Sequence, residues 1–167
     1  MLAAKAVVTE TEAAFAEIFG RAYSGLLDTY RTEDADYILV TLGSIAGLCR
    51  ETADRLRGEG IRAGVVRIRY MRPFPNEEIA AALQNAKAYG VLEKDISFGN
   101  EGTVYTNVNS ALQKAGIQIP GYNFIGGLGG RNISAQDIAQ IFADLQSGAG
   151  RVNFIGIGGD GNGESNG

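Results

Sequence analysis

Residues 37–44, YILVTLGS, decide the fold. The first six of them are nearly all apolar, which is typical of a β-strand that is covered on both faces. Gly43 ends this run, and Ser44 is a residue type that often begins a helix. Apolar residues then recur at helical spacing at Ile45, Leu48, Cys49, Ala53 and Leu56. The stretch therefore predicts a strand, a tight turn and a helix that packs back onto the strand.

The same strand-and-helix unit recurs along the chain. Pro73 and Pro75 end the second strand, because proline cannot donate to a strand ladder. Further strands are predicted at residues 62–70, 88–93, 122–125 and 152–157, and helices from residue 76 and at residues 100–115 and 134–146. This alternation predicts a three-layer α/β/α domain with a mostly parallel, five-stranded sheet.

The two ends of the chain differ from this pattern. Thr9 and Glu12 have the spacing of a capping box, which predicts a helix over residues 9–21. Apolar residues such as Tyr23 and Leu26 follow this helix and require a surface to pack on. We therefore predict three parts: a leader helix and linker at 1–35, the α/β domain at 36–157, and a flexible glycine-rich tail at 158–167.

Composition excludes several classes of function. The 167 residues include no histidine and one cysteine, which leaves no Ser-His-Asp site, no histidine metal site and no disulfide. The formal net charge of −4 argues against a nucleic-acid partner. Neither a membrane span nor a signal peptide is expected, so the sequence predicts a cytoplasmic protein without a membrane partner.

Glycine-rich segments follow two of the predicted strands. The segment GGLGGR at 126–131 comes after the fourth strand, where α/β sheets bind ligands. Its amides, with Arg131, fit an anion nest, but the expectation favours glycines that let the backbone pass close to a neighbouring domain. The string GIGGDG at 156–161 matches a dinucleotide motif, but no helix follows it, so we expect no nucleotide site there.

Charged residues near the predicted strand ends are further candidates. Gly43 and Ser44 could face an anion, or Ser44 could simply cap its helix. Arg67 and Arg69 share one face of the second strand, which suggests a carboxylate partner, with Glu93 the nearest by topology. Glu93 and Asp95 converge on no identifiable substrate, so no catalytic role is predicted for either.

Four strings in this order resemble the C-terminal part of the alpha subunit of pyruvate:ferredoxin oxidoreductase, also called pyruvate synthase. They are YILVTLGSIAG at 37–47, VRIRYMRPFP at 66–75, VLEKDISFGNEG at 91–102 and IGGLGGRNI at 125–133. The resemblance implies the fold of the transketolase C-terminal domain. It also implies a complex that uses thiamine diphosphate, Mg, iron–sulfur clusters and coenzyme A to oxidise a 2-oxoacid. Pyruvate is the 2-oxoacid that the resemblance favours.

This chain matches none of the family's catalytic, cofactor-binding or metal-binding residues, so the resemblance implies a structural role in assembly. The implied partners are the pyrimidine-binding, diphosphate-binding, gamma and ferredoxin-like delta parts of the complex. Ferredoxin is an indirect partner, which would bind through these other parts. The residues expected to contact other domains or an anion are Gly43, Ser44, Arg69, Arg72, Glu93, Gly127, Gly129, Gly130 and Arg131.

Two other functions stay open at this point. The first is a stand-alone α/β module that binds a nucleotide or a coenzyme A phosphate at its glycine-rich loops. The second is an enzyme of another kind that uses Arg69, Glu93 and Arg131 together.

Overall fold

The computed structural model describes residues 2–97 and 99–156. One sheet lies between two layers of helices, as the alternating sequence pattern predicts. The strands are β1 (Leu27–Tyr30), β2 (Tyr37–Leu42), β3 (Ala63–Ile68), β4 (Ala88–Glu93), β5 (Gly121–Gly126) and β6 (Val152–Ile155). The helices are α1 (Leu2–Phe19), α2 (Ile45–Gly58), α3 (Asn76–Leu83), α4 (Thr103–Lys114) and α5 (Ala135–Ser147).

The sheet has six described strands instead of the predicted five, in the order β1-β3-β2-β4-β5-β6. The additional strand is β1, which pairs antiparallel with β3 through Leu27 and Ile68. All other neighbouring strands are parallel. The sequence pattern misses β1 because it is only four residues long and half of its residues, Asp28 and Thr29, are polar.

Each face of the sheet has its own apolar core. On one face, α2 and α5 cover side chains such as Leu39 and Phe124, and both of these are fully buried. On the other face, α3 and α4 cover side chains such as Val40 and Val91. The alternation of side chains along each strand supplies both cores, which is why the central strands are apolar almost throughout.

Helix α1 begins earlier than the sequence predicts. Thr9 is not its cap, because Thr9 lies well inside the helix, two turns after its start at Leu2, and its hydroxyl donates to the carbonyl of Lys5 at 3.2 Å. Glu12 instead reaches across to the sheet domain, where it accepts hydrogen bonds from the Arg69 guanidinium at 2.6 Å and the Gly25 amide at 2.7 Å. The helix is therefore fixed to the domain by polar contacts.

Parts of the C-terminal segment lie outside the described residues. This applies to the predicted tail at 158–167, to Ile157, which was predicted to end the last strand, and to the GIGGDG string beyond Gly156. Across residues 2–97 and 99–156, none of the helices combines the length and the apolar character needed to cross a membrane.

Candidate functional site

The candidate site lies where the direction of chain connections reverses. Strand β2 occupies the middle of the sheet, and the chain passes first to β3 on one side of it and then to β4 on the other. In open α/β sheets, the crevice at the carboxyl ends of two such strands is the usual place for a ligand. Here the loops after β2 and β4 enclose an open cleft of about 190 Å³, which we call the switch-point cleft.

The switch-point cleft has an apolar floor and a polar rim. Its apolar lining comes from Leu42, Ile45, Leu92 and Ile133. The other lining residues are Thr41, Gly43, Ser44, Glu93 and Lys94. Gly43 adopts a φ of 74°, which other residues rarely accept, so glycine is needed for the tight turn from strand to helix.

Ser44 precedes α2, but it is not the side-chain cap that the sequence predicts. Its backbone is already in the right-handed helical region, with φ −73° and ψ −25°, and its side chain makes no capping hydrogen bond. An N-cap serine normally adopts an extended backbone that turns its hydroxyl toward the first amides of the helix. The exposed Ser44 side chain therefore remains available at the rim of the cleft.

Glu93 ends β4 and points to the opposite face of the sheet. The residue is 3% exposed, and its carboxylate accepts hydrogen bonds from the backbone amides of Val104 at 2.7 Å and Tyr105 at 3.1 Å. Asn123 donates a third bond at 2.8 Å. Burial raises the pKa of Glu93, and these three donors oppose the rise. Glu93 thus satisfies free amides at the start of α4.

The predicted pairing of Glu93 with Arg67 and Arg69 is wrong. Arg69 pairs with Glu12 at 2.6 Å, and Arg67 pairs with Asp28 at 2.8 Å. Both acids lie in the N-terminal segment, which the sequence pattern left as a leader and linker, so their proximity to β3 could not be foreseen. Gly43, Ser44, Arg67 and Arg69 line a shallow groove of about 430 Å³ on the β3 side of the same turn.

Arg72 and the glycine loop lie in other places. Arg72 is exposed and lines a separate pocket of about 320 Å³ with Lys5 and Lys114. Gly127 is buried against the side chain of Lys94, next to the switch-point cleft. Gly129, Gly130 and Arg131 of the same loop are exposed, and the Arg131 guanidinium donates to the carbonyl of Gly156 at 2.7 Å.

The structure therefore brings only part of the predicted set together. Gly43, Ser44 and Glu93 border one cleft, and Gly127 adjoins it. Sequence reasoning missed Lys94, which lies in one of the quoted strings but has no motif of its own, and Asn123, whose role depends on a contact across the sheet.

Metal chemistry has little support in the part of the chain that the structure describes. No group of three or more His, Cys, Asp or Glu residues there could hold a metal ion. Cys49 is fully buried, and burial raises the pKa of its thiol to about 12. A protonated, buried thiol neither binds a metal nor acts as a nucleophile, because both roles require the thiolate.

The architecture defines the class of protein first: an α/β domain of the transketolase C-terminal type. It matches a solved structure described as "Split gene transketolase, inactive beta4 tetramer" with a TM-score of 0.57 and 18% identity, over 76% of this chain and 43% of that chain. It also matches the 2-oxoglutarate:ferredoxin oxidoreductase from Magnetococcus marinus with a TM-score of 0.54 and 19% identity, over 82% of this chain and 23% of that chain. At these identities the likeness establishes the fold.

Sequence similarity then gives the family. The model of the family described as "Pyruvate:ferredoxin oxidoreductase core domain II" matches residues 35–138, and the chain belongs to this family. It is 41% identical over 143 residues to pyruvate synthase subunit PorA of Methanothermobacter thermautotrophicus. It is 37% identical over 143 residues to ketoisovalerate oxidoreductase subunit VorA of Pyrococcus horikoshii. Each match covers 86% of this chain and 36% of the relative. The resemblance of the four strings is confirmed.

Proposed function

We propose that this chain is a non-catalytic assembly domain of a 2-oxoacid:ferredoxin oxidoreductase that acts in the cytoplasm, with pyruvate as the 2-oxoacid. Membership of the core domain II family supports the complex. The chain spans about a third of the length of the curated relatives it matches.

The observation that carries the assembly role is the outer side of α1. Its contacts with the domain are made by Lys5, which binds Glu77 and Glu78, and by Glu12. The helix also exposes large apolar side chains: Val7 is 58%, Ile18 74% and Phe19 61% accessible. A helix that is apolar beyond its inward face is normally covered on more than one side. A second polypeptide surface on α1 would provide that cover.

The proposed partners are the parts of the complex that carry the pyrimidine-binding, diphosphate-binding, gamma and delta functions. Thiamine diphosphate, Mg, the iron–sulfur clusters and coenzyme A would belong to those parts. The donor set of this chain supports that division, because an iron–sulfur cluster requires several thiolates and the chain has one cysteine, which is buried and protonated. Ferredoxin would then meet the complex at another subunit.

The test is co-purification. The tagged chain is isolated from its native cells at low salt, and the proteins that accompany it are identified by mass spectrometry. Thiamine-binding and cluster-binding subunits of a 2-oxoacid oxidoreductase should co-purify with it. A lone monomer would contradict the proposal and favour the stand-alone binding module instead.

Three variants locate the contact. Ile18→Glu places a charge on the exposed side of α1 and should abolish co-purification, because an unpaired charge at an apolar interface is costly. Ala143→Glu is the matched control, since it adds the same charge at an exposed position of α5. Arg131→Ala should weaken assembly and leave the isolated fold intact. Equal recovery of partners by Ile18→Glu and by the control would place the interface elsewhere.

A further inference from the structure

We propose that the switch-point cleft binds a small monocarboxylate with an apolar body. The proposal concerns a site on this chain alone, and it goes beyond the assembly role. It rests on the shape of the cleft, on the sides of the sheet to which the nearby charges belong, and on a lysine at its rim.

Side-chain alternation separates the charges at the end of β4. Leu92 belongs to the core beneath α2 and α5, and Lys94 is the next residue on that side, where it lines the cleft. Glu93 belongs to the opposite side, where its carboxylate is occupied by amides of α4. Asp95 also faces α4, accepting a bond from the Thr103 amide at 3.3 Å. Glu93 lines the cleft as well, but its carboxylate, like that of Asp95, is bonded to backbone amides on the α4 side. Lys94 is the base that lines the cleft.

Lys94 is free to bind an anion. Within residues 2–97 and 99–156 it forms no ion pair. Its aliphatic stem lies against Gly127, and a β-carbon at that position would come within 2.8 Å of Lys94 Cε. The absence of a side chain at Gly127 therefore leaves the space that Lys94 occupies beside the cleft. The Ser44 side chain, which makes no capping bond, adds a second polar group at the same rim.

The apolar floor of the cleft indicates that the part of the ligand beyond its carboxylate is apolar. Thr41 is fully buried, and its hydroxyl donates a hydrogen bond to the carbonyl of Leu92 at 2.9 Å, so it presents no free donor to a ligand. Leu42, Ile45 and Ile133 supply apolar contact. The volume of about 190 Å³ equals that of roughly six water molecules at about 30 Å³ each. An apolar floor of this size beside one ammonium group fits a short aliphatic carboxylate better than a phosphate ester, which requires several donors.

The experiment is a titration of the ¹⁵N-labelled chain with isobutyrate, in which binding is measured from the changes in amide chemical shift. A ligand of about six non-hydrogen atoms should bind with a Kd on the order of 1 mM. The largest shifts should fall on Gly43, Ser44 and Lys94. No change up to about 10 mM, or shifts confined to the groove at Arg67, would overturn the proposal.

Matched controls test the chemistry. Lys94→Gln should raise the Kd by about fivefold, since an exposed ion pair contributes at most about that factor. Lys87→Gln should leave it unchanged, because Lys87 lies just before the other end of β4 and is paired with Asp36. Isobutyramide should bind the wild type as weakly as isobutyrate binds Lys94→Gln, and phosphate should cause no shift at the cleft. Equal binding of the amide and the acid, or an unchanged Kd in Lys94→Gln, would overturn the role of the charge.

Discussion

Glu93, Asn123 and Gly102 form a buried polar cluster that joins the end of β4 to the start of α4. Asn123 accepts a bond from the Gly102 amide at 2.7 Å and donates to Glu93 at 2.8 Å, and all three residues are buried. Buried polar groups of this kind are stable only when every partner is present. The cluster therefore fixes the position of α4 and holds the Glu93 charge on that side of the sheet.

Glycine at position 102 is required by packing and not by its backbone conformation. Its φ of −70° suits any residue, but a β-carbon there would lie 2.1 Å from the Glu93 carboxyl carbon. We expect Gly102→Ala to lower the free energy of unfolding by about 1 to 3 kcal/mol, because Glu93 would have to leave its hydrogen bonds. Urea denaturation measures this change.

Gly47 is the matched control for that substitution. It lies in α2, and a β-carbon there would meet nothing within 4 Å. Gly47→Ala should raise the free energy of unfolding by about 0.5 to 1 kcal/mol, because alanine loses less backbone entropy in a helix. Similar effects of the two substitutions would show that the Glu93 cluster does not constrain position 102.

At the scale of elements, the N-terminal segment is part of the sheet domain. Strand β1 pairs with β3, and Asp28 within β1 is contacted by both Arg50 and Arg67. Glu12 brings α1 to Arg69, the residue that follows β3, with side chains that are 13% and 17% exposed. Arg67 and Arg69 thus hold two N-terminal elements in place.

The anchor of α1 can be tested with a conservative substitution. Glu12→Gln removes the charge that Arg69 faces and should weaken the contact by about 1 kcal/mol, since a hydrogen bond to a charged group is stronger than a neutral one. Hydrogen exchange of α1 amides should then accelerate by about fivefold, with the central strands unaffected.

The control for this variant is Glu10→Gln on the same helix. Glu10 is exposed, and among the residues that the structure describes it forms no ion pair. Its exchange pattern should match that of the wild type. If α1 exchanged at the same rate in both variants, the Glu12 contact would not be what holds the helix.

The predictable part of the fold comes from features that are local in sequence. The run at Tyr37–Leu42 predicts its strand because a strand covered on both faces is apolar throughout. The pattern of β1 is not predictable in this way, because an edge strand takes its conformation from its partner β3. Glu93 was predicted as a candidate but not its partners, since two of them are backbone amides that carry no sequence signal.

At the scale of the whole molecule, the fold places different properties on different surfaces. The carboxyl edge of the sheet carries the switch-point cleft, and α1 carries exposed apolar side chains. In the proposed assembly role, a partner surface would cover the exposed side chains of α1. The cleft is a separate property, and either proposal can fail without the other.

The most direct test of the assembly role is an assay of pyruvate-dependent ferredoxin reduction. The purified chain and the complex that co-purifies with it are each supplied with thiamine diphosphate, Mg and coenzyme A. The account predicts no turnover by the chain alone, and turnover by the complex in the same size-exclusion fractions that contain the chain. Turnover by the chain alone, or an active complex that separates from the chain without loss of activity, would contradict it.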